Sequence, residues 1–293
     1  MLIARLIAEQ ETLGDNLALA MELIEARDWE VAGAGMLDTC EDVLELEVVE
    51  GNPAGIRQIL DQCFPDCDLL LSDGTIELPQ LFVSDMDSTM IGQECIDELA
   101  DFAGLKDRVA AITERAMQGE LDFEAALRER VALLAGLDES AIHACLADRI
   151  TAMSGAKVLV ATLAALGTRT VLVTGGFHHF ADPVAEMLGF HRVVGNRLAV
   201  AHGKLTGGLV GDIVDSSVKE AVLRAEVARR DGAASLATGD GANDIPMLIA
   251  ASYGIAYHAK PKARAAAHGW VEQGDLTAVL KLLGIARGDW VAA

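Results

Sequence analysis

Three short polar clusters have residue types and spacing that could do chemistry together. Asp85-Met86-Asp87-Ser88-Thr89 sets two carboxylates at i and i+2 directly after the apolar run Leu81-Phe82-Val83-Ser84. Beyond a strand end such a pair can divide labour, Asp85 attacking phosphorus as nucleophile and Asp87 protonating the leaving oxygen. Asp87 must then be partly protonated near neutrality, which a neighbouring carboxylate promotes. Thr174-Gly175-Gly176-Phe177 follows Thr170-Val171-Leu172-Val173 and offers a hydroxyl with backbone amides able to approach a phosphoryl oxygen closely. Gly239-Asp240-Gly241-Ala242-Asn243-Asp244 follows Ser235-Leu236-Ala237; its Asp240, Asn243 and Asp244 form a hard-oxygen set suited to Mg2+. Each cluster also has a plainer reading. The carboxylates could cap the helices that follow, and Gly175-Gly176 could be a simple turn.

Phosphate monoesters hydrolyse so slowly that accelerations of up to ~10²¹-fold are needed, so a nucleophile, an acid, a metal and a cation must converge. Lys219 is the best-placed cation. It falls near the start of a helix expected at 216–229, where the helix dipole adds positive potential. Lys157 and Lys204 are rivals that fit solvated faces better.

The elements that must position these groups follow from periodicity. From residue 80 onward, apolar strands end in small or acidic residues and alternate with helices, the pattern of an α/β, doubly wound parallel sheet. Such sheets bind ligands at the carboxyl ends of their strands, where all three clusters fall. Residues 94–149 read as several short helices with no strand, too long for a crossover and suited to a helical cap. The glycine-rich stretch 201–211 reads as a β-hairpin, because no helix starts directly after a GxGxxG pattern. Residues 1–79 read as strand, helix, strand, strand, helix, strand, the split βαβ pattern of a ferredoxin-like α+β module. Ser72-Asp73-Gly74 then marks a turn and Pro79 closes the connection, dividing the chain into 1–79 and 80–293.

Composition narrows the partners. Of 293 residues, 52% are hydrophobic and 23% charged, with a formal net charge of −22. That charge opposes binding to nucleic acid or to an anionic membrane. It admits a small anionic substrate only where a few cations and a metal locally reverse the field. No apolar run approaches the ~18–20 residues that cross a bilayer. The five cysteines lack CxxC spacing, so reduced, mostly buried thiols are expected. The start has no basic leader or cleavage site, and the cytoplasm is the expected location.

The order of these motifs resembles the haloacid dehalogenase superfamily and, within it, the phosphoserine phosphatases. The likeness runs from about Leu81 to Leu283. It includes Ile91-Gly92-Gln93-Glu94-Cys95-Ile96-Asp97-Glu98-Leu99-Ala100, Ala116-Met117-Gln118-Gly119, Phe123, Arg128-Glu129-Arg130-Val131 and the last cluster. The resemblance implies Asp85 as nucleophile, Asp87 as acid and then base, and Thr174 and Lys219 as a phosphoryl clamp. It implies Mg2+ on Asp85, Asp240 and the main-chain carbonyl of Asp87, supported by Asp244 and Asn243. Gly175 and Asn243 would face the substrate. Glu94 would meet its ammonium, Arg130 its carboxylate, and Met117 and Phe123 would form apolar walls. By spacing alone Glu94 and Arg130 could be surface charges, and Met117 and Phe123 ordinary core. Thr174 departs from the family's more frequent Ser, but both carry a hydroxyl. His178 and His179 lack a metal partner and are expected to be solvated.

The first module resembles amino-acid-binding regulatory domains of the ACT type, which implies serine feedback or a homodimer-forming or structural role. Phosphoserine and serine are thus the implied ligands. Two alternatives stay open: another small ester such as phosphohomoserine, and an amino-acid-sensing protein whose phosphatase domain is silent. A membrane ion pump of the superfamily is excluded by the missing apolar spans.

Overall fold

The computed structural model describes residues 1–117 and 120–292, apart from the side chain of Met117. The first module comprises β1 (Leu2–Ile7), α1 (Leu13–Glu25), β2 (Val31–Leu37), β3 (Cys40–Val48), α2 (Pro53–Cys63) and β4 (Asp68–Asp73). Next come β5 (Leu81–Ser84), the helices α3 (Cys95–Phe102), α4 (Lys106–Met117), α5 (Phe123–Leu133) and α6 (Ser140–Arg149), then α7 (Ala156–Ala165) and β6 (Arg169–Phe177). The chain continues through α8 (His178–Leu188), β7 (Arg192–Asn196), the hairpin β8 (Leu198–Ala201) and β9 (Lys204–Leu209), and α9 (Ser216–Ala228). It ends with β10 (Ser235–Gly239), α10 (Ile245–Ala250), β11 (Tyr253–Tyr257), α11 (Pro261–Ala266), β12 (Gly269–Val271) and α12 (Thr277–Leu282).

Ten strands form one sheet in the order β2-β3-β1-β4-β12-β11-β10-β5-β6-β7. The six from β12 to β7 are parallel, and the first four are antiparallel in the ferredoxin-like order. The two parts are not merely tethered: β4 pairs antiparallel with β12, Leu70 opposite Gly269. Gly269 is needed there, because a Cβ would come within 2.1 Å of the Leu69 carbonyl oxygen.

Side chains alternate across the sheet with the period of a strand, so each strand feeds two cores. Ile3, Leu70, Phe82, Leu172, Leu236 and Ile255 face one, which α7, α8 and α12 cover with residues such as Leu159, Phe180 and Val279. Leu2, Leu69, Val83, Val171, Ala237 and Ala256 face the other, with Ile24, Ile56, Leu223, Met247 and Ala263 of α1, α2, α9, α10 and α11.

From β5 the chain builds outward to β6 and β7, then crosses back to build β10, β11 and β12 on the other side. Strand order therefore reverses between β5 and β10, which opens a crevice at their carboxyl ends. The hairpin expected at 201–211 is present as β8 and β9. It packs under α5, where the positive φ of Gly207 (83°) brings the backbone so close that a Cβ would lie 2.9 Å from that of Ala135.

Candidate active site

The crevice is built from the paired ends of β5 and β10. Thr238 lies opposite Ser84 in register, with their hydroxyls 2.8 Å apart, and the Asp85 amide donates to the Thr238 carbonyl at 3.0 Å. Asp85 and Asp240 thus leave adjacent strands at the same level. Gly239 lets the following turn fold back, since a Cβ there would lie 2.5 Å from Cγ of Asp244. Asp244 ends a short 3₁₀ turn, Ala242–Asp244, and its Oδ2 accepts from the Gly241 amide at 3.0 Å. Local capping is thus one of its roles, while its other oxygen accepts from a buried ammonium.

That oxygen meets Lys219. Asp215 caps α9 by accepting from the Val218 amide at 3.0 Å, and the next residue, Lys219, points inward with only 1% exposure. Its Nζ lies 2.7 Å from Oδ1 of both Asp85 and Asp244. Burial works against the ammonium, but the two carboxylates outweigh it and hold the Lys219 pKa above its ordinary value. Asp85 moves up as well, because burial and then Asp244 disfavour its charge more than Lys219 favours it. Lys157 and Lys204 are exposed, whereas Lys219 is buried beside the carboxylates. One oxygen each from Asp85, Asp240 and Asp244 lies within 4.8 Å of the others, and Lys219 is the buried ammonium among them. The set keeps excess negative charge on hard oxygen donors, which fits a divalent cation such as Mg2+.

Asp87 differs in kind. Its Oδ1 is sealed from solvent with no hydrogen-bond partner, and burial, then Glu94, push its carboxyl up to about 7. Gly176 sits against it: a Cβ there would be 3.1 Å from Asp87 Oδ2 and from Thr174 Oγ1. The buried Thr174 hydroxyl accepts from the Gly176 amide at 2.8 Å, within the irregular end of β6 where its register with β7 shifts.

The cavity, about 340 Å³, has Asp85, Asp87, Thr174, Gly175, Asp240 and Asn243 along one wall. Glu94, Phe123, Leu127 and Arg130 form the other. Glu94, just ahead of α3, accepts from the Ser88 hydroxyl at 2.8 Å. Phe123 opens α5 and is 41% exposed; its Cζ lies 3.4 Å from where a Gly175 Cβ would stand. It is therefore a wall of the cleft and not core. Arg130 is half-buried on the same helix, its Nε donating to the Ala126 carbonyl at 3.3 Å. Met117 ends α4 and its side chain lies outside the described residues, as do Gln118 and Gly119. A larger cavity, about 540 Å³, lies between the β2–β3 turn and the C-terminal segment near Lys281 and Trp290. It shares no residue with the carboxylate cluster, and convergent chemistry outweighs size in marking a site.

Two residues of the site have no sequence signal. Asn196, 2% exposed at the end of β7, donates to the Gly175 carbonyl at 2.8 Å and accepts from the Val214 amide at 2.9 Å. It ties the end of β6 to the segment before α9. Lys260 reaches the cavity from the loop before α11, with Nζ 3.3 Å from Asp240 Oδ2. One expectation is corrected: His179 is half-buried, its Nδ1 shielded and without a partner, because α8 packs against the sheet. His178 is also half-buried and pairs with Asp182 at 2.8 Å. All five cysteines are free and buried, as expected.

An aspartate poised at the switch point of a doubly wound sheet, with helices inserted after the first strand, defines a class of α/β hydrolase. A profile of the haloacid dehalogenase-like hydrolases matches residues 82–248, more than half of the chain, and the chain belongs to that family. It is 46% identical over 217 residues to a phosphoserine phosphatase of Streptomyces coelicolor, a match covering 73% of this chain and 52% of the relative. The chain thus spans about half the length of that relative. Among solved structures, a family hydrolase from Salmonella enterica serovar Typhi superposes with a TM-score of 0.82 at 25% identity, covering 96% of this chain and 98% of that one. A phosphoserine phosphatase described as a phospho-aspartyl intermediate analogue superposes with a TM-score of 0.63 at 37% identity, covering 70% of this chain and 99% of the other.

Proposed function

We propose that the chain is a Mg2+-dependent phosphoserine phosphatase that works through an aspartyl-phosphate on Asp85. The observation that carries this is the 2.7 Å contacts by which buried Lys219 joins Asp85 to Asp244, with Asp85 lining a cavity that Glu94 and Arg130 also line. A zwitterionic amino acid needs a carboxylate and a guanidinium at its far end, and these two supply them.

Asp85, Asp240 and Asp244 would hold the ion, with the main-chain carbonyl of Asp87. Bound there, Mg2+ would offset charge on the phosphoryl oxygens and favour ionised Asp85. Lys219 holds Asp85 in line, and the Thr174 hydroxyl with the Gly175 amide would face the phosphoryl oxygens. Asp85 attacks phosphorus, the P–O ester bond breaks, and the serine oxygen leaves with its electron pair and takes a proton from Asp87. Asp87 then accepts a proton from water as that water attacks phosphorus. The P–O bond to Asp85 breaks, its carboxylate returns, and inorganic phosphate leaves. Asp87, with a pKa near 7, suits both directions. Phe123, with Met117, would wall the substrate from solvent, and Asn243 would steady the third cluster.

On this reading residues 94–149 act as the cap that recognises the amino acid, and residues 1–79 as an ACT-like module able to sense serine. The reaction would complete serine biosynthesis. Five free thiols fit a reducing compartment, consistent with the cytoplasm.

Phosphate release across a panel of phosphorylated metabolites, with and without Mg2+, tests the proposal. Phosphoserine should lead the panel and chelation should stop release. A clear preference for phosphohomoserine or another ester would overturn the substrate.

A further inference from the structure

The cleft has a problem of charge. Five carboxylates, Asp85, Asp87, Glu94, Asp240 and Asp244, stand in or beside it, on a chain of formal net charge −22. Lys219 is buried and committed to Asp85 and Asp244. Among the described residues lining the cavity, the remaining cations are Arg130, half-buried, and Lys260, whose side chain is 68% exposed. An anionic ester approaching from solvent therefore meets an accessible ammonium at Lys260.

Lys260 is also held in an unusual way. Its amide donates to the Asp240 carbonyl at 2.9 Å, and Pro261 starts α11 directly after it. At the other end of this six-residue helix, Arg57 of α2 donates to the carbonyls of Arg264 and Ala267 and stacks over Trp270 at 4.7 Å. Asp61 of α2 pairs with Arg264 at 2.6 Å. A helix this short has little stability of its own, so contacts at its ends set its placement. One end belongs to the cleft and the other is gripped by the N-terminal module.

We propose that Lys260 is a binding residue that draws anionic esters into the cleft, and that Arg57 is a positioning residue which sets it through α11. The proposal rests on the phosphate-ester reading above, so p-nitrophenyl phosphate is used beside phosphoserine. Steady-state kinetics of the full chain are measured at saturating Mg2+, with Mg2+ titrated separately for each variant.

Lys260→Gln should lower kcat/KM on both substrates by about five- to tenfold at low ionic strength, mostly through KM. The gap should narrow to about twofold at roughly 0.5 M salt, and Lys260→Arg should restore most of it. Arg57→Met should fall in the same direction by about threefold, with Arg57→Lys recovering part, and the double variant should be no worse than Lys260→Gln alone. Asp61→Asn, which loosens the same end of α11, substitutes if Arg57→Met does not fold. An unchanged kcat/KM in Lys260→Gln at low salt would overturn the role of Lys260. Additive losses, or equal losses in kcat and kcat/KM for Arg57→Met, would overturn the coupling. Failure on phosphoserine alone, with the Lys260 effect intact on p-nitrophenyl phosphate, would fault the substrate and leave Lys260 standing.

Discussion

The two walls of the cleft are held by different forces. On the sheet side Asp85, Lys219 and Asp244 are 4%, 1% and 0% exposed, and each is locked by contacts under 3 Å. On the helical side Glu94 is exposed with one hydroxyl partner, and Phe123 is 41% exposed at the first turn of α5. Buried charges must be paired or they are costly, so the residues proposed to make and break bonds sit in a network of mutual contacts. Recognition groups at a solvated edge are held weakly and can adapt to the far end of a ligand. On the proposed function, rigidity is therefore concentrated where phosphorus would react, and latitude where the substrate would be identified.

Substitutions on the two walls should separate along this line. Asp85→Asn should lower turnover by about a thousandfold or more while thermal unfolding changes little, because the amide keeps the shape and removes the nucleophile. Substantial retained turnover would place the reacting carboxylate elsewhere. Lys219→Met should lose activity and also destabilise the metal-free chain by about 3–5 kcal/mol in urea, since Asp85 and Asp244 are left buried without a counter-charge. A stability near that of the parent would mean that the two carboxylates do not need it.

On the other wall, Arg130→Ala should raise KM for phosphoserine by about ten- to a hundredfold, and far less for phosphoethanolamine, which lacks the carboxylate. Equal losses on both would remove Arg130 from recognition. Away from the cleft, Glu226 provides the mild case. It is 3% exposed and receives Arg192, Arg229 and Arg230. Burial raises its pKa, but the hydrogen bonds from Arg230 and Arg192 overcome this and leave it below the ordinary value. Its contribution is therefore full above the unfolded carboxyl's value, about 4.3, and is lost as pH falls through the lower folded value. Glu226→Gln should lower stability by about 1–2 kcal/mol at pH 7, and the difference should shrink below about pH 4 in urea titrations.

What could be read from the chain follows the same division. The three clusters were visible because each follows an apolar strand, and strands of a parallel sheet deliver their ends to one edge. The choice of Lys219 over Lys157 and Lys204 was also within reach, since a helix start could be placed. The joining of β4 to β12 was not, because Gly269-Trp270-Val271 is only three residues long and its partner lies about two hundred positions away. Asn196 and Lys260 were missed for a related reason. Each acts through a tertiary contact, with Gly175 and with Asp240, that no local pattern encodes.

The central claim is a covalent bond to one oxygen of Asp85, and rapid-quench trapping tests it most directly. Enzyme mixed with phosphoserine and Mg2+, quenched in acid and reduced with tritiated borohydride, should yield tritium-labelled homoserine at position 85 in the peptide map. Label on another residue, or full turnover with no trapped intermediate and an active Asp85→Asn variant, would contradict it.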